Sequence, residues 1–164
     1  MKYIECPLYE MTRTTKTDYW NDSCSPDELS YAIARGAVGA TTNPQIVLTV
    51  LQKDLAYWKE EIKKVVKDNQ TWSEFQIAWK VFEMVSLRGA KVLQPVFEQN
   101  KGINGRLSIQ TNPQNYRNAA ALVDQAVYYN SLAPNIQVKV PVTKAGVEAL
   151  EEIVYRGLNI NATV

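Results

Sequence analysis

Residues 135–146 read NIQVKVPVTKAG. Ile136, Val138, Val140 and Val142 fall on one side of an extended chain, and Gln137 and Lys139 fall on the other. A period of two is the signature of a strand. Thr143 then reads as the N-cap of a helix, KAGVEALEEIVYR, which Gly157 ends. The stretch is a strand followed by a helix, with a lysine on the polar face near the strand's C-terminal end. If one face of the sheet is wet, Lys139 is simply solvated. If both faces are covered, the lysine needs another explanation.

The same unit recurs on either side. Residues 158–164 (LNINATV), 106–112 (RLSIQTN) and 37–42 (AVGATT) read as strands, and 18–23 (DYWNDS) is the least patterned of the five. Helices lie between them. Ser25 is placed as an N-cap, with Pro26 at the first helical position, Glu28 as the capping-box partner and Gly36 as the stop. Asn43-Pro44 repeats the cap-then-proline start, and Ile46, Val47, Val50, Leu51, Leu55 and Trp58 follow at helical spacing. Residues 71–88 form a second helix of this region, while 90–99 fit no single pattern. Asn112-Pro113 opens another helix, rich in alanine through Ala126.

Strands alternating with helices imply parallel strands joined by crossovers. Such a sheet has both faces covered, so water is not the expected neighbour of Lys139. Each strand nevertheless has a polar face. Ser108, Gln110 and Asn112 oppose Leu107 and Ile109; Asn159, Asn161 and Thr163 oppose Leu158, Ile160, Ala162 and Val164; Thr41 and Asn43 oppose Val38 and Ala40. A TIM (β/α)8 barrel meets both demands, with helices outside and polar groups gathered inside at the rim. An open doubly wound sheet would want both faces apolar and ranks second. No glycine-rich dinucleotide turn follows any strand.

Composition narrows the chemistry. The 164 residues are 46% hydrophobic and 21% charged, which suits one globular domain. A net charge of +1 gives no electrostatic footprint for nucleic acid or an anionic membrane. The charged run 59–67 mixes both signs and reads as a solvated helix face. No apolar run approaches the ~20 residues of a membrane span, and the start, MKYIECPLYEM, lacks a signal-like apolar core. Two cysteines are too few for a disulfide framework, so a cytoplasmic location is expected. There is no histidine, which removes Ser-His-Asp and Cys-His catalysis and His-ligated zinc.

The inward face would gather Lys139 with Asp22, Asn43, Gln110, Asn161 and Thr163. Burial favours the neutral amine, and a neutral amine can attack a carbonyl to form a Schiff base. The resulting iminium is an electron sink that needs no metal and no cofactor. Asp22 is the one inward carboxylate and so the candidate for moving a proton from a substrate hydroxyl. Amides and hydroxyls suit a polyhydroxylated substrate. On pattern alone, Lys139 is either such a nucleophile or a salt-bridged lysine in the barrel. Asp22 is either an acid/base or a residue that caps the next turn. Asn43 is equally a standard helix N-cap, and Asn161 and Thr163 equally polar barrel filling.

The motifs DYWNDSCSPDEL, GATTNPQIV, RLSIQTNPQ, VKVPVTKAGVEAL and GLNINATV occur in this order. Together they resemble the transaldolase family over residues 18–164, with 1–17 as an N-terminal extension. The resemblance implies a class I aldolase barrel. It also implies transfer of a dihydroxyacetone unit from a ketose phosphate to an aldose phosphate. By motif position, Lys139 would be the Schiff-base lysine and Asp22 the acid/base. Asn43 and Thr41 would line the substrate site. Asn161 and Thr163 would contact substrate and the catalytic water, and Gln110 would hold that water. Lys139, Asp22, Gln110 and Thr163 are thus the expected catalytic set, and Asn43, Thr41 and Asn161 the expected substrate-binding set. A sugar phosphate is the expected small-molecule partner and a homo-oligomer the expected assembly.

Two features depart from the family pattern. Transaldolases usually carry glutamate where Gln110 stands, whereas the similar fructose-6-phosphate aldolases carry glutamine. This raises aldol cleavage as an alternative to transfer, although the WNDS motif and Asn161 match the transaldolases. A barrel also has eight strands in ~250 residues, and about five can be read here. The expectation is the N-terminal part of a barrel whose later strands and phosphate-holding basic residues lie beyond Val164. A non-catalytic barrel remnant that binds a sugar is the third reading. The helical stretch 44–105 has no assigned role; Trp58, Trp72 and Trp79 mark either an interface or a local core.

Overall fold

A computed structural model describes residues 3–164. Strand β4 (Ile136–Pro141) forms where the alternation is clearest. Ile136, Val138 and Val140 are buried, while Gln137, Lys139 and Pro141 are half-buried. The other strands are β1 (Tyr19–Asn21), β2 (Ala37–Thr41), β3 (Arg106–Gln110) and β5 (Ile160–Thr163). They form one sheet in the order β1-β2-β3-β4-β5, and every neighbouring pair is parallel. A doubly wound sheet reverses its strand order at a switch point, and no reversal occurs here. The architecture is a curled half-barrel, a partial TIM barrel.

The apolar face of the sheet packs under helices. Leu107, Ile109, Ile136, Val138 and Val140 share one core with Leu29, Val85, Leu93, Leu122, Ala126, Ala149 and Ile153. These come from α2 (Pro26–Ile33), α5 (Glu74–Gln99), α6 (Ala119–Leu132) and α7 (Lys144–Tyr155). Helices α3 (Pro44–Lys53) and α4 (Leu55–Asp68) pack on α5, forming a further layer. The stretch 44–105 therefore holds one crossover helix and two that cover it. Trp58 is buried, and the Trp79 ring meets Phe82 edge-on at 4.9 Å, as a local core requires. Trp72 is exposed. No helix among the described residues is long and apolar enough to cross a membrane.

Several element ends differ from the sequence reading, each for a local reason. The expected capping box on α2 does not form: Ser25 makes no side-chain cap bond, and Glu28 pairs with the Lys53 ammonium instead. The helix predicted after Pro44 breaks at Asp54, whose φ of −131° and ψ of 51° separate α3 from α4. Residues 90–99 continue α5, despite Pro95 inside the helix. Pro95 and Lys91 both lie on its exposed side, so the carbonyl that loses its partner faces water. After β3, Asn112-Pro113 starts only one 3-10 turn (Pro113–Asn115), and α6 begins at its own cap, Asn118.

The N-terminal residues make a helix, α1 (Pro7–Thr14), although residues 1 and 2 of the expected extension lie outside the described residues. Ile4 N–H donates to the Ala34 carbonyl at 2.8 Å. Gly36, at φ +93°, sits so close beneath α1 that a Cβ would lie 2.6 Å from Thr12 Oγ1. The α1 helix thus sits against the turn entering β2, at the end of the sheet away from the strands' C-termini.

Candidate active site

All strands point the same way, so their C-terminal ends share one rim. The site is built by register. Gln110 of β3 pairs with Lys139 of β4, and Lys139 pairs with Asn161 of β5. Side chains alternate along a strand, so these three stand in one row on the concave face. A row nearer the strands' N-terminal ends holds Thr41, Ser108 and Gln137. One step nearer the C-terminal ends, on the same face, Thr163 of β5 pairs with Pro141. Gln110, Lys139, Asn161 and Thr163 are all half-buried, and Ser108 is fully buried.

Lys139 is held through its backbone: its carbonyl accepts from Thr111 N–H at 3.0 Å and from Thr111 Oγ1 at 3.3 Å. None of the ion pairs among the described residues involves it. The salt-bridged alternative therefore has no partner here. Asn161 Nδ2 donates to Ser108 Oγ at 2.9 Å, and Gln137 Nε2 donates to the Ile160 carbonyl at 2.7 Å.

The second half of the site is on β1 and β2. Thr41 Oγ1 donates to Asp22 Oδ1 at 2.5 Å. Below them the Trp20 ring covers Gly39, where a Cβ would come within 2.8 Å of the ring atoms. Glycine is required there so that the indole can lie flat against the strand. Asp22 is exposed and sits on β1's exit, three strands from Lys139 in the sheet order. No hydrogen bond or ion pair joins the two among the described residues. Asn43 caps α3, its Oδ1 accepting from Ile46 N–H at 2.9 Å. The register therefore unites Gln110, Lys139 and Asn161; Asp22 and Thr41 form a separate pair; Asn43 is occupied as a cap.

Two contributors were not singled out from sequence. Ser108 was placed only on the polar face of its strand, yet its Oγ accepts from Asn161 Nδ2 across β4. Gln125 of α6 accepts from Asn112 N–H at 2.8 Å and donates from Nε2 to Tyr129 Oη at 2.8 Å, fixing the chain just past Gln110. No periodicity marks Gln125, because its partner comes from a loop thirteen residues earlier.

Cysteine chemistry does not suit this site. Cys24 is buried beside Thr42, and burial pushes its thiol up from the ordinary cysteine value. A thiol held in its neutral form is a poor nucleophile. A cavity of about 630 Å³ between α3, α4 and α5 is lined by Val47, Leu51, Trp79 and Phe82, and Lys139 is not among its lining residues. Its apolar wall offers little to a polyol.

The description transaldolase/fructose-6-phosphate aldolase belongs to a family model that matches residues 19–164. Curated relatives agree. "Transaldolase 2" of Streptomyces avermitilis is 32% identical over 130 residues, 77% of this chain and 34% of that protein. "Transaldolase 1" of Streptomyces coelicolor is 31% identical over 133 residues, 79% of this chain and 34% of that protein. "Transaldolase" of Mycobacterium ulcerans is 28% identical over 154 residues, 88% of this chain and 40% of that protein. The chain thus spans between 34% and 40% of the length of these relatives.

Proposed function

Because the chain belongs to the transaldolase/fructose-6-phosphate aldolase family, we propose that Lys139 forms a Schiff base with a ketose phosphate and passes a dihydroxyacetone unit to an aldose phosphate. The observation that carries this reading is the row Gln110–Lys139–Asn161, with the Lys139 amine outside every ion pair among the described residues. The amine adds to the C2 ketone, and the carbinolamine hydroxyl takes a proton and leaves as water to give an iminium ion. Asp22, steadied by Thr41, takes the C4 hydroxyl proton as the C3–C4 bond breaks. The electron pair moves into the iminium, forming an enamine and releasing an aldose phosphate. The enamine carbon attacks the acceptor aldehyde, Asp22 returns its proton to the new hydroxyl, and water hydrolyses the iminium. Asn161 and Thr163 flank the reacting carbon, and Gln110 holds the water.

Trapping tests this directly. Borohydride delivers hydride to the iminium and fixes the adduct as a secondary amine. The chain, incubated with fructose 6-phosphate and reduced, gains a ketose-derived mass at Lys139, from the whole ketose phosphate or from the dihydroxyacetone unit left after cleavage, and Lys139→Met gains none. An intact, full-length protein that folds and stays at its original mass contradicts the Schiff base. Sugar binding that is unaltered by Lys139→Met, with no adduct on the unsubstituted chain, instead makes this a binding barrel.

A second reading follows from Gln110. A carboxamide orients water but does not take its proton, so cleavage to free dihydroxyacetone competes with transfer. Product analysis with and without an acceptor aldose phosphate separates the two.

A further inference from the structure

We propose that Ser108 is a positioning residue for the Lys139 amine, acting through Asn161; the inference rests on the Schiff-base reading above. Ser108 lies on β3 level with Gln137 of β4, whereas Asn161 lies on β5 level with Lys139. The 2.9 Å bond from Asn161 Nδ2 to Ser108 Oγ therefore spans β4 on its concave face. It passes between Gln137 and Lys139. In a parallel barrel, side chains of alternate strands share a layer, and β3 and β5 are alternate strands. Their contact makes a shelf, with Gln137 beneath it and Lys139 above it.

Gln137 is engaged by its own bond to the Ile160 carbonyl. Asn161 is level with Lys139 in the register, and its Nδ2 is committed to Ser108. This leaves Oδ1 to accept from the N–H groups of the lysine or of the carbinolamine. A side chain fixed before substrate arrives loses no rotamer freedom at the reaction step. Ser108 is 0% exposed, so water does not replace its hydroxyl as the partner of Asn161. A serine that only filled space would be replaceable by alanine without effect on Lys139.

The experiment measures the rate of borohydride-trapped adduct at saturating fructose 6-phosphate on the full chain. Ser108→Ala slows trapping roughly three- to tenfold, the worth of one lost hydrogen bond. Ser108→Thr, which keeps the hydroxyl, restores it. In an Asn161→Ala background, Ser108→Ala slows it no further. Ser108→Cys, close in volume with a weaker acceptor, gives an intermediate rate and serves where the alanine variant does not fold. If the unsubstituted chain forms no adduct, the Schiff-base reading falls and takes this inference with it. If that chain reacts but Ser108→Ala matches it, or slows trapping further in the Asn161→Ala background, the Ser108 inference alone is overturned.

Discussion

Lys139 and Gln110 stand side by side in the register, and their difference in chemistry sets the expected outcome of the reaction. A glutamate in place of Gln110 would accept the proton that the carboxamide cannot, favouring return of the water to the iminium and completed transfer. Gln110→Glu is therefore expected to raise the ratio of transferred product to free dihydroxyacetone several-fold, read by chromatography with an acceptor present. An unchanged ratio removes Gln110 as the determinant. The row itself was legible in the sequence, because strand parity alone places Gln110, Lys139 and Asn161 on one face. Ser108 shared that parity, but its partner did not show: the bond to Asn161 joins residues fifty-three apart and skips a strand. Asp22 was read as an inward carboxylate; it is exposed just past β1 and bonded to Thr41, a partner that only the register of β1 on β2 brings near.

At the scale of elements, the turns that deliver these residues are set by caps. Asn43 ends β2's extension and begins α3, so one side chain has two candidate roles. Asn43→Ala is expected to cost about 1 kcal/mol through the lost bond to Ile46 N–H. Asn43→Asp keeps an N-cap and so keeps stability, but removes the amide that would meet substrate. Weaker sugar phosphate binding by Asn43→Asp at an unchanged melting temperature assigns both roles; binding like the unsubstituted chain's leaves only the cap. The turn after Lys139 is tighter still. Thr143 Oγ1 accepts from Gly146 N–H at 3.0 Å, and a Cβ on Gly146 would sit 1.8 Å from the Pro141 carbonyl oxygen. Gly146→Ala must push α7 away from β4, an overpacking cost of about 1–3 kcal/mol. Urea unfolding checks this, and a midpoint equal to that of the unsubstituted chain would show that the turn yields freely. Thr143 and Asn43 were readable as caps because each side chain meets a backbone N–H three residues on. Ser25 stands at the N-cap as read, but its capping box with Glu28 does not form, and Glu28 pairs with Lys53 from far along the chain.

For the whole molecule, polar inner faces and strand–helix rhythm were enough to choose a barrel over a doubly wound sheet. The layering of α3 and α4 on α5 was not, because a helix that packs on another helix carries the same apolar period as one that packs on a sheet. The resulting core buries groups that titrate, and this gives the fold a dependence on pH. Tyr129 is 1% exposed, and burial pushes its phenol well above the usual tyrosine value; the Glu83 charge adds to this and the Gln125 bond opposes it. Cys24 is raised in the same direction, chiefly by burial. Both groups hold their protons in the folded chain at a pH where the unfolded chain releases them. Stability from these groups is complete below their unfolded values, about 8.5 for cysteine and about 10 for tyrosine, and falls as pH rises past them. The urea midpoint is therefore expected to decline between about pH 8 and pH 11. Tyr129→Phe cannot ionise, so its midpoint starts lower at neutral pH, where Gln125 has lost a partner, and then falls less steeply. An equally steep fall in Tyr129→Phe would place the alkaline weakness outside this core.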